Sequence, residues 1–283
     1  MKNLETVIAA IRYIESHLTS AKIDLDIVAA AVHYSKYHLH RIFTVTVGLT
    51  IHDYAQRRQL TEAAKLLVFS DKPIIDIAIL AGYDSQQAFS NAFKAMYKQP
   101  PHQFRKNEVF YPLQLEYEFK DQRESLKNAR KNSAREIRFA KEEDIPIWMD
   151  LVHLAIDWFP YLKEDEHLTV LKRYIANQGA LLMTEGGISI GGMMINYETG
   201  SIDFLAVHPL YRKQGVSRDF LNMALAELLK NKEISITTFR EGDKADTGYR
   251  KALKELGFAE AELLMEFGYP TQRMVLSEED SND

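Results

Sequence analysis

The sequence contains no cysteine. That excludes disulfides, thiolate nucleophiles and cysteine-built metal sites, and it fits a reducing cytoplasm. No apolar run approaches the roughly 20 residues that a membrane span requires, so no membrane is expected among its partners. No signal peptide is expected either, because MKNLETVIAAIRYIESHL reads as an amphipathic helix with acidic residues inside it. What is present is an ordinary globular composition, 46% hydrophobic and 27% charged over 283 residues. That length suits two domains. The net charge of −5 is unevenly spread. Residues 1–107 carry 13 basic against 9 acidic side chains, residues 108–135 carry 6 against 5, and residues 136–283 carry 16 against 26. A mildly basic front can approach DNA, whereas an acidic back is repelled by it.

The front contains an internal repeat. DIVAAAVHYSKYHLHRIF from Asp26 aligns without a gap on DIAILAGYDSQQAFSNAF from Asp76, and the register continues to His52 on His102 and Tyr54 on Phe104. In the second copy Ile77, Ala78 and Ala81, then Phe89, Ala92, Phe93 and Met96, form two apolar stripes at helical spacing. Gly82-Tyr83-Asp84-Ser85 between them supplies a breaker and an N-cap. Two short helices around a tight turn are the helix-turn-helix layout. Gln86, Gln87, Ser90 and Asn91 fall on the outer side of the second helix, and Lys36, Tyr37, His40 and Arg41 are their counterparts in the first copy. Such side chains suit base edges and phosphates. His38 and His40 do not make a metal pair, since positions i and i+2 do not share a helix face.

A helix predicted over 51–69 joins the copies, with Pro73 opening the second. Nineteen residues at about 1.5 Å each span roughly 28 Å, which suits adjacent major grooves about 34 Å apart. On YSKYHLHRIF, IHDYAQRRQLTEAAKLL, DIAILAGYDSQQAFSNAFK and PPHQFRK, residues 3–107 resemble the DNA-binding domain of AraC/XylS-type transcription regulators. The resemblance implies base reading by Tyr37, His40 and Arg41, and by Gln86, Gln87, Ser90 and Asn91, with RNA polymerase as a further partner. Many members carry arginine at the position of Asn91, so the second helix is expected to read differently here.

Residues 108–135 are expected to be a linker with one strand: Leu113, Leu115, Tyr117 and Phe119 alternate with polar residues, and QRESLKNARKNSAR follows. From 136 the pattern becomes α/β. Strands are predicted over 137–140, 180–185, 188–196, 201–207 and 234–239 and around 263–267 and 274–276. Helices are predicted over 142–157, 165–177, 216–230 and 246–256. In SIDFLAVHPLYRKQGVSRDFLNMAL a strand ends at Val207 and Arg212-Lys213-Gln214-Gly215-Val216-Ser217 leads into a helix, whose free N–H groups attract an anion.

Strand, V-x-P-x-Y-R-x-x-G-x and helix, here Val207 to Ser217, resemble the pyrophosphate motif of the GNAT superfamily of acyl-CoA-dependent N-acetyltransferases. Asp246 through KALKELGF to Phe258 resembles their second cofactor segment. The resemblance covers roughly 136–277. It implies acetyl-CoA as co-substrate, with the backbone of Leu205, Ala206 and Val207 along the pantetheine arm. Arg212, Gln214, Gly215, Val216, Ser217 and Arg218 would lie at the pyrophosphate, with Asp246 in the second segment. Ser217 replaces the usual Gly or Ala. At the position of a tyrosine that many members use to protonate the leaving thiolate stands Leu253, with Tyr249 one turn earlier as a weak substitute acid. Asp203 occupies the place of an acid that serves as base toward the attacking amine. His153, Asp157 and Glu241 are lesser candidates.

The expected architecture is therefore multidomain. An all-α double helix-turn-helix domain (1–107) is followed by the linker and then by an α/β, GNAT-like domain with a mixed, mostly antiparallel sheet (136–283). Two readings stay open for that second domain: a working acetyltransferase for a small amine or lysine, or a non-catalytic sensor of acyl-CoA or amine.

Overall fold

The structure, a computed structural model, describes residues 2–19, 23–117, 134–155, 164–230, 232–266 and 268–276. The chain divides into two compact units, the first running from the N-terminus to Glu118 and the second containing most of the remainder.

The first unit is helical. Its elements are α1 (Lys2–Ser16), α2 (Leu25–Ala31), α3 (Lys36–Val47), α4 (Ile51–Phe69), α5 (Ile74–Leu80), α6 (Gln86–Tyr97) and α7 (Pro101–Asn107). The starts follow the sequence signals. Asp24, Ser35, Thr50 and Ser85 each accept a hydrogen bond from a backbone N–H of the helix they cap. Pro73 precedes α5 and Pro101 opens α7, where a missing N–H costs nothing. The two copies differ at the turn. Its left-handed residue is Gly82 in the second copy but His33, with φ 57°, in the first. Leu60, Ala64, Phe89, Phe93, Tyr97 and Phe104 share one buried core with Tyr111 and Leu113.

The expected strand at 113–119 does not form over its described residues, which end at Tyr117. Leu113 and Gln114 are both buried while Leu115 is exposed, so burial does not alternate. The backbone N–H groups of Leu113 and Gln114 donate to the Thr61 hydroxyl, at 3.0 and 3.2 Å, in place of a ladder partner. Phe119 and most of QRESLKNARKNSAR lie outside the described residues.

The second unit is α/β. β1 (Glu136–Phe139) leads through a 3-10 turn (Glu142–Asp144) into α8 (Ile145–Ala155), followed by α9 (Glu164–Ala176). Then come β2 (Ala180–Glu185), β3 (Ile188–Ile195), β4 (Ser201–Val207), α10 (Val216–Met223), β5 (Ser235–Phe239), α11 (Tyr249–Glu255), β6 (Phe258–Glu266) and β7 (Tyr269–Leu276). Among the described residues the strands form one sheet in the order β1-β2-β3-β4-β5-β7-β6. Its pairs are antiparallel except β4 with β5. This is the mixed, mostly antiparallel sheet expected. Consecutive glycines on β3 let helices close on both faces. A Cβ on Gly191 would come within 2.7 Å of Val216 and Phe220 of α10, and one on Gly192 within 3.2 Å of Trp148 of α8.

Two predicted helices are shorter than expected. The helix predicted from 246 begins at Tyr249, because the Asp246 carboxylate accepts from the backbone N–H of Gly248 and Tyr249, both at 2.9 Å. The helix predicted to 230 gives way after Met223 to a π turn over Ala224–Leu228. Asp157 lies outside the described residues.

Candidate nucleic-acid interface and candidate anion loop

On α3, Leu39, Ile42 and Phe43 are buried, which turns Lys36, Tyr37, His40 and Arg41 to the surface. Tyr37 is 81% exposed, with the Lys36 ammonium 5.8 Å from its ring centre. Lys36 forms an ion pair of 3.2 Å with Asp26. On α6, Phe89 and Phe93 are buried; Gln86, Gln87 and Asn91 are exposed and Ser90 is half-buried. The Gln87 side-chain amide donates to the Asn91 carbonyl oxygen at 3.1 Å, which fixes the two side chains relative to each other. Each set of expected base readers thus lies together on one helix, opposite a buried apolar side, Leu39, Ile42 and Phe43 on α3 and Phe89 and Phe93 on α6.

In the second unit, β4 and β5 are parallel, yet their ladder contains only Ser201↔Ser235 and Ile202↔Ile236. Beyond that point β4 continues along β3, with Phe204 to Val207 opposite Met194 to Gly191, and β5 continues along β7. The two strands therefore fork, with backbone groups of Leu205, Ala206 and Val207 on one prong. Asp203 is the first residue past the fork. It is also the extra residue of a bulge, because Ile195 pairs with Ile202 while Met194 pairs with Phe204. Bulges re-aim side chains. Here the Asp203 carboxylate is exposed and accepts from the Ser201 hydroxyl at 2.6 Å and from the Tyr174 hydroxyl of α9. Burial and then the bond to Asp203 push the Tyr174 phenol up to about 12, so it stays the donor. The other residue next to the bulge, Phe204, packs with Trp148 and His167.

β4 ends at a fully buried His208, whose Nδ1 accepts from the Leu210 N–H at 3.2 Å. Burial, with the Arg212 cation, pushes its pKa down to about 4, so the imidazole is a neutral acceptor at the base of the turn. The loop that follows has left-handed backbone at Lys213 and Gly215, and α10 begins at Val216. Gly215 is open: an added Cβ would meet nothing closer than the Asp219 carboxylate at 4.0 Å. Ser217 is half-buried and Arg218 reaches the Glu255 carbonyl at 3.1 Å. Gln214 is more occupied than expected. Its backbone N–H donates to the Tyr211 carbonyl at 3.3 Å, and its own carbonyl accepts from Arg135 at 2.7 Å. Neither Arg135 nor Tyr174 was singled out from the sequence. Arg135 sits in a polar run without pattern, and Tyr174 reads as one more apolar position of a helix.

Other expected residues are placed differently. The Tyr249 hydroxyl donates to the Ala155 carbonyl at 2.9 Å, so the proton of the weak substitute acid is already committed. Leu253 is buried. Asp246 caps α11, as described. His153 and Glu241 are exposed, His153 paired with Glu164 at 2.9 Å. No group of His, Asp and Glu among the described residues is arranged to hold a metal ion. No helix among them is long and apolar enough to cross a membrane.

Among solved structures, an acetyltransferase of the GNAT family from Bacillus cereus aligns with 51% of this chain and 97% of its own, at 15% identity and a TM-score of 0.40. The family model described as a helix-turn-helix domain matches residues 28–107. The uncharacterized HTH-type transcriptional regulator YbfP of Bacillus subtilis is 43% identical over 95 residues, which are 34% of this chain and 32% of YbfP. The regulatory protein SoxS of Escherichia coli is 37% identical over 95 residues, again 34% of this chain but 88% of SoxS. The matched segment is thus about a third of YbfP and nearly all of SoxS, and through it the chain belongs to the AraC-type helix-turn-helix transcription regulators.

Proposed function

We propose that the chain is a sequence-specific DNA-binding regulator, acting in the cytoplasm on RNA polymerase recruitment, whose second unit binds acyl-CoA and transfers the acyl group to an amine. Support for the first part comes from the repeated module with outward polar recognition faces. Arg41→Ala or Gln87→Ala should weaken binding to a selected site by about 1–3 kcal/mol, the usual discrimination of one bidentate base contact. Affinity for random duplex should hardly change. Equal losses on both duplexes, measured by titration at one fixed salt concentration, would show that these residues do not read sequence.

For the second part the carrying observation is the fork between β4 and β5, which opens beside the loop at Lys213–Gly215. Past the fork, the side of β4 over Leu205 to Val207 that no longer pairs with β5 offers backbone donors and acceptors to an extended, amide-containing arm. The start of α10, with Lys213 and Arg218 near, offers N–H groups and positive charge to a pyrophosphate. Val216, Ser217 and Gly215 fit that role. Gln214 fits it less well, because its N–H is taken. A carboxylate at Gly215 would place negative charge and bulk in that space. Gly215→Glu should therefore abolish the rise in melting temperature that acetyl-CoA causes in the wild type. An equal rise in both proteins would remove the anion from this loop.

The non-catalytic reading keeps one observation in its favour. Where a leaving thiolate would meet an acid there is a buried Leu253, and the nearby Tyr249 hydroxyl is engaged. A thiolate leaves unaided at neutral pH more readily than most groups, so slow turnover remains compatible with this site.

A further inference from the structure

The stretch after α7 runs back along α4, touching the second helix-turn-helix copy directly and reaching the first through Tyr54 of α4. Tyr111 packs against Tyr97 and Phe104 of the second copy, and its carbonyl accepts from the Tyr97 hydroxyl at 3.3 Å. Midway, the Leu113 and Gln114 amides donate to Thr61, and the Gln114 carbonyl accepts from Arg58 at 3.0 Å. At its far end Tyr117 stacks on Tyr54, which in turn lies edge-on to Phe43 beneath the first recognition helix. From Tyr97 through Thr61 to Tyr54, the contacts step back along the chain while the strap steps forward, so the strap lies antiparallel to α4. These residues lie beyond the matched helix-turn-helix segment, which ends at 107.

We infer that residues 109–117 are a positioning strap that fixes the spacing and rotational phase of the two recognition helices. A single helix of 19 residues joins the copies, and the second copy also meets it through polar contacts, Gln56 to the Tyr83 hydroxyl at 3.5 Å and Arg105 to the Leu67 carbonyl at 3.1 Å. A second connection, hydrogen-bonded at mid-helix and seated in an aromatic cluster at each end, removes the hinge freedom that one connection leaves. The strap thereby converts two readers into one bipartite reader with a set half-site distance. A chain without it would accept a range of distances, since each helix could find its groove independently.

The test uses the full chain, and its probe is a duplex selected by the wild-type protein from a random-sequence pool. Variants of that duplex carry one, two or five base pairs inserted between the two boxes. Wild-type protein should lose about 30-fold or more in affinity on insertion, the equivalent of two lost bidentate contacts. Thr61→Val, which keeps the shape but removes the acceptor of both strap amides, and Tyr117→Ala should tolerate one or two inserted pairs with less than about a third of that loss. A role in stability alone would lower affinity for every spacing by one factor, so the ratio between spacings is the readout. Circular dichroism melts establish that each variant is folded at the assay temperature. The inference is overturned if both folded variants keep the wild-type spacing profile. It is overturned equally if selection yields a site with a single box.

Discussion

Acyl transfer by an Asp203→Asn variant is expected to fall by about 10²–10⁴-fold in kcat/KM, the usual contribution of a positioned general base. The reacting amine must lose a proton, and the bulged Asp203 presents a carboxylate where the two strands part. Ser201 and Tyr174 fix its orientation by donating one hydroxyl hydrogen to each oxygen. Each oxygen keeps a further lone pair for the amine or an intervening water. Asparagine preserves the size but offers only one acceptor oxygen. Tyr174→Phe removes one of the two orienting bonds, so its loss should be smaller, about tenfold for a misaligned base. Because the base matters only while the amine is protonated, raising the pH toward the amine's own pKa should narrow the gap between Asp203→Asn and wild type. A gap that stays constant to high pH would point to amine binding in place of proton removal. Equal background rates in both proteins with every amine would leave the unit a sensor, and Leu253 would then be its expected feature.

In the first unit, Glu15→Ala should cost about 3–5 kcal/mol of stability, the range for breaking a buried ion pair from one side. The Glu15 carboxylate accepts from Arg58 Nε at 2.9 Å and Nη2 at 2.9 Å and from the Tyr54 hydroxyl at 2.8 Å. The two side chains are only 9% and 12% exposed, so solvent screens them little. Burial works against the Arg58 charge, and the Glu15 carboxylate outweighs it, leaving the guanidinium above its ordinary pKa. Burial, then Glu15, likewise raises Tyr54. Removing Glu15 leaves the buried cation without its main partner, with Glu62 at 3.2 Å and the Gln114 carbonyl at 3.0 Å still in reach. Denaturant unfolding followed by helical circular dichroism reads the effect as a lower midpoint of the first unit's transition. A cost below about 1 kcal/mol would place the pair among surface salt bridges.

The Glu15–Arg58 pair also shows what was legible in the sequence. Its two residues lie 43 positions apart with no pattern linking them, so periodicity gave α1 and α4 but not the ion pair between them. The repeat, by contrast, was legible in its caps and core, though not in the left-handed turn residue, Gly82 in one copy and His33 in the other. Ser35 and Ser85, Leu39 and Phe89, and Phe43 and Phe93 occupy matching caps and core positions in both copies. The segment 113–117 misled for a physical reason. Alternation predicts a strand only where a neighbouring strand accepts the ladder, and here α4 offers a buried threonine and two arginines instead. In the second unit the strands were legible because sheet burial imposes runs such as LLMT and SIGGMMI. The fork was not, since which strands part depends on pairing between β4 and β5, 28 residues apart in the chain. Asp203 was reached through family resemblance. Its bulge and its Tyr174 partner needed the tertiary structure, because a one-residue register shift leaves no mark in the pattern of a strand.

The most direct measurement for the account as a whole is thiol release from acetyl-CoA by the purified 283-residue chain across a panel of primary amines, including a lysine peptide. The account predicts release above the uncatalysed rate with at least one amine, lost on Gly215→Glu and reduced on Asp203→Asn. Release at the uncatalysed rate with every amine, in protein that binds DNA normally, would contradict it.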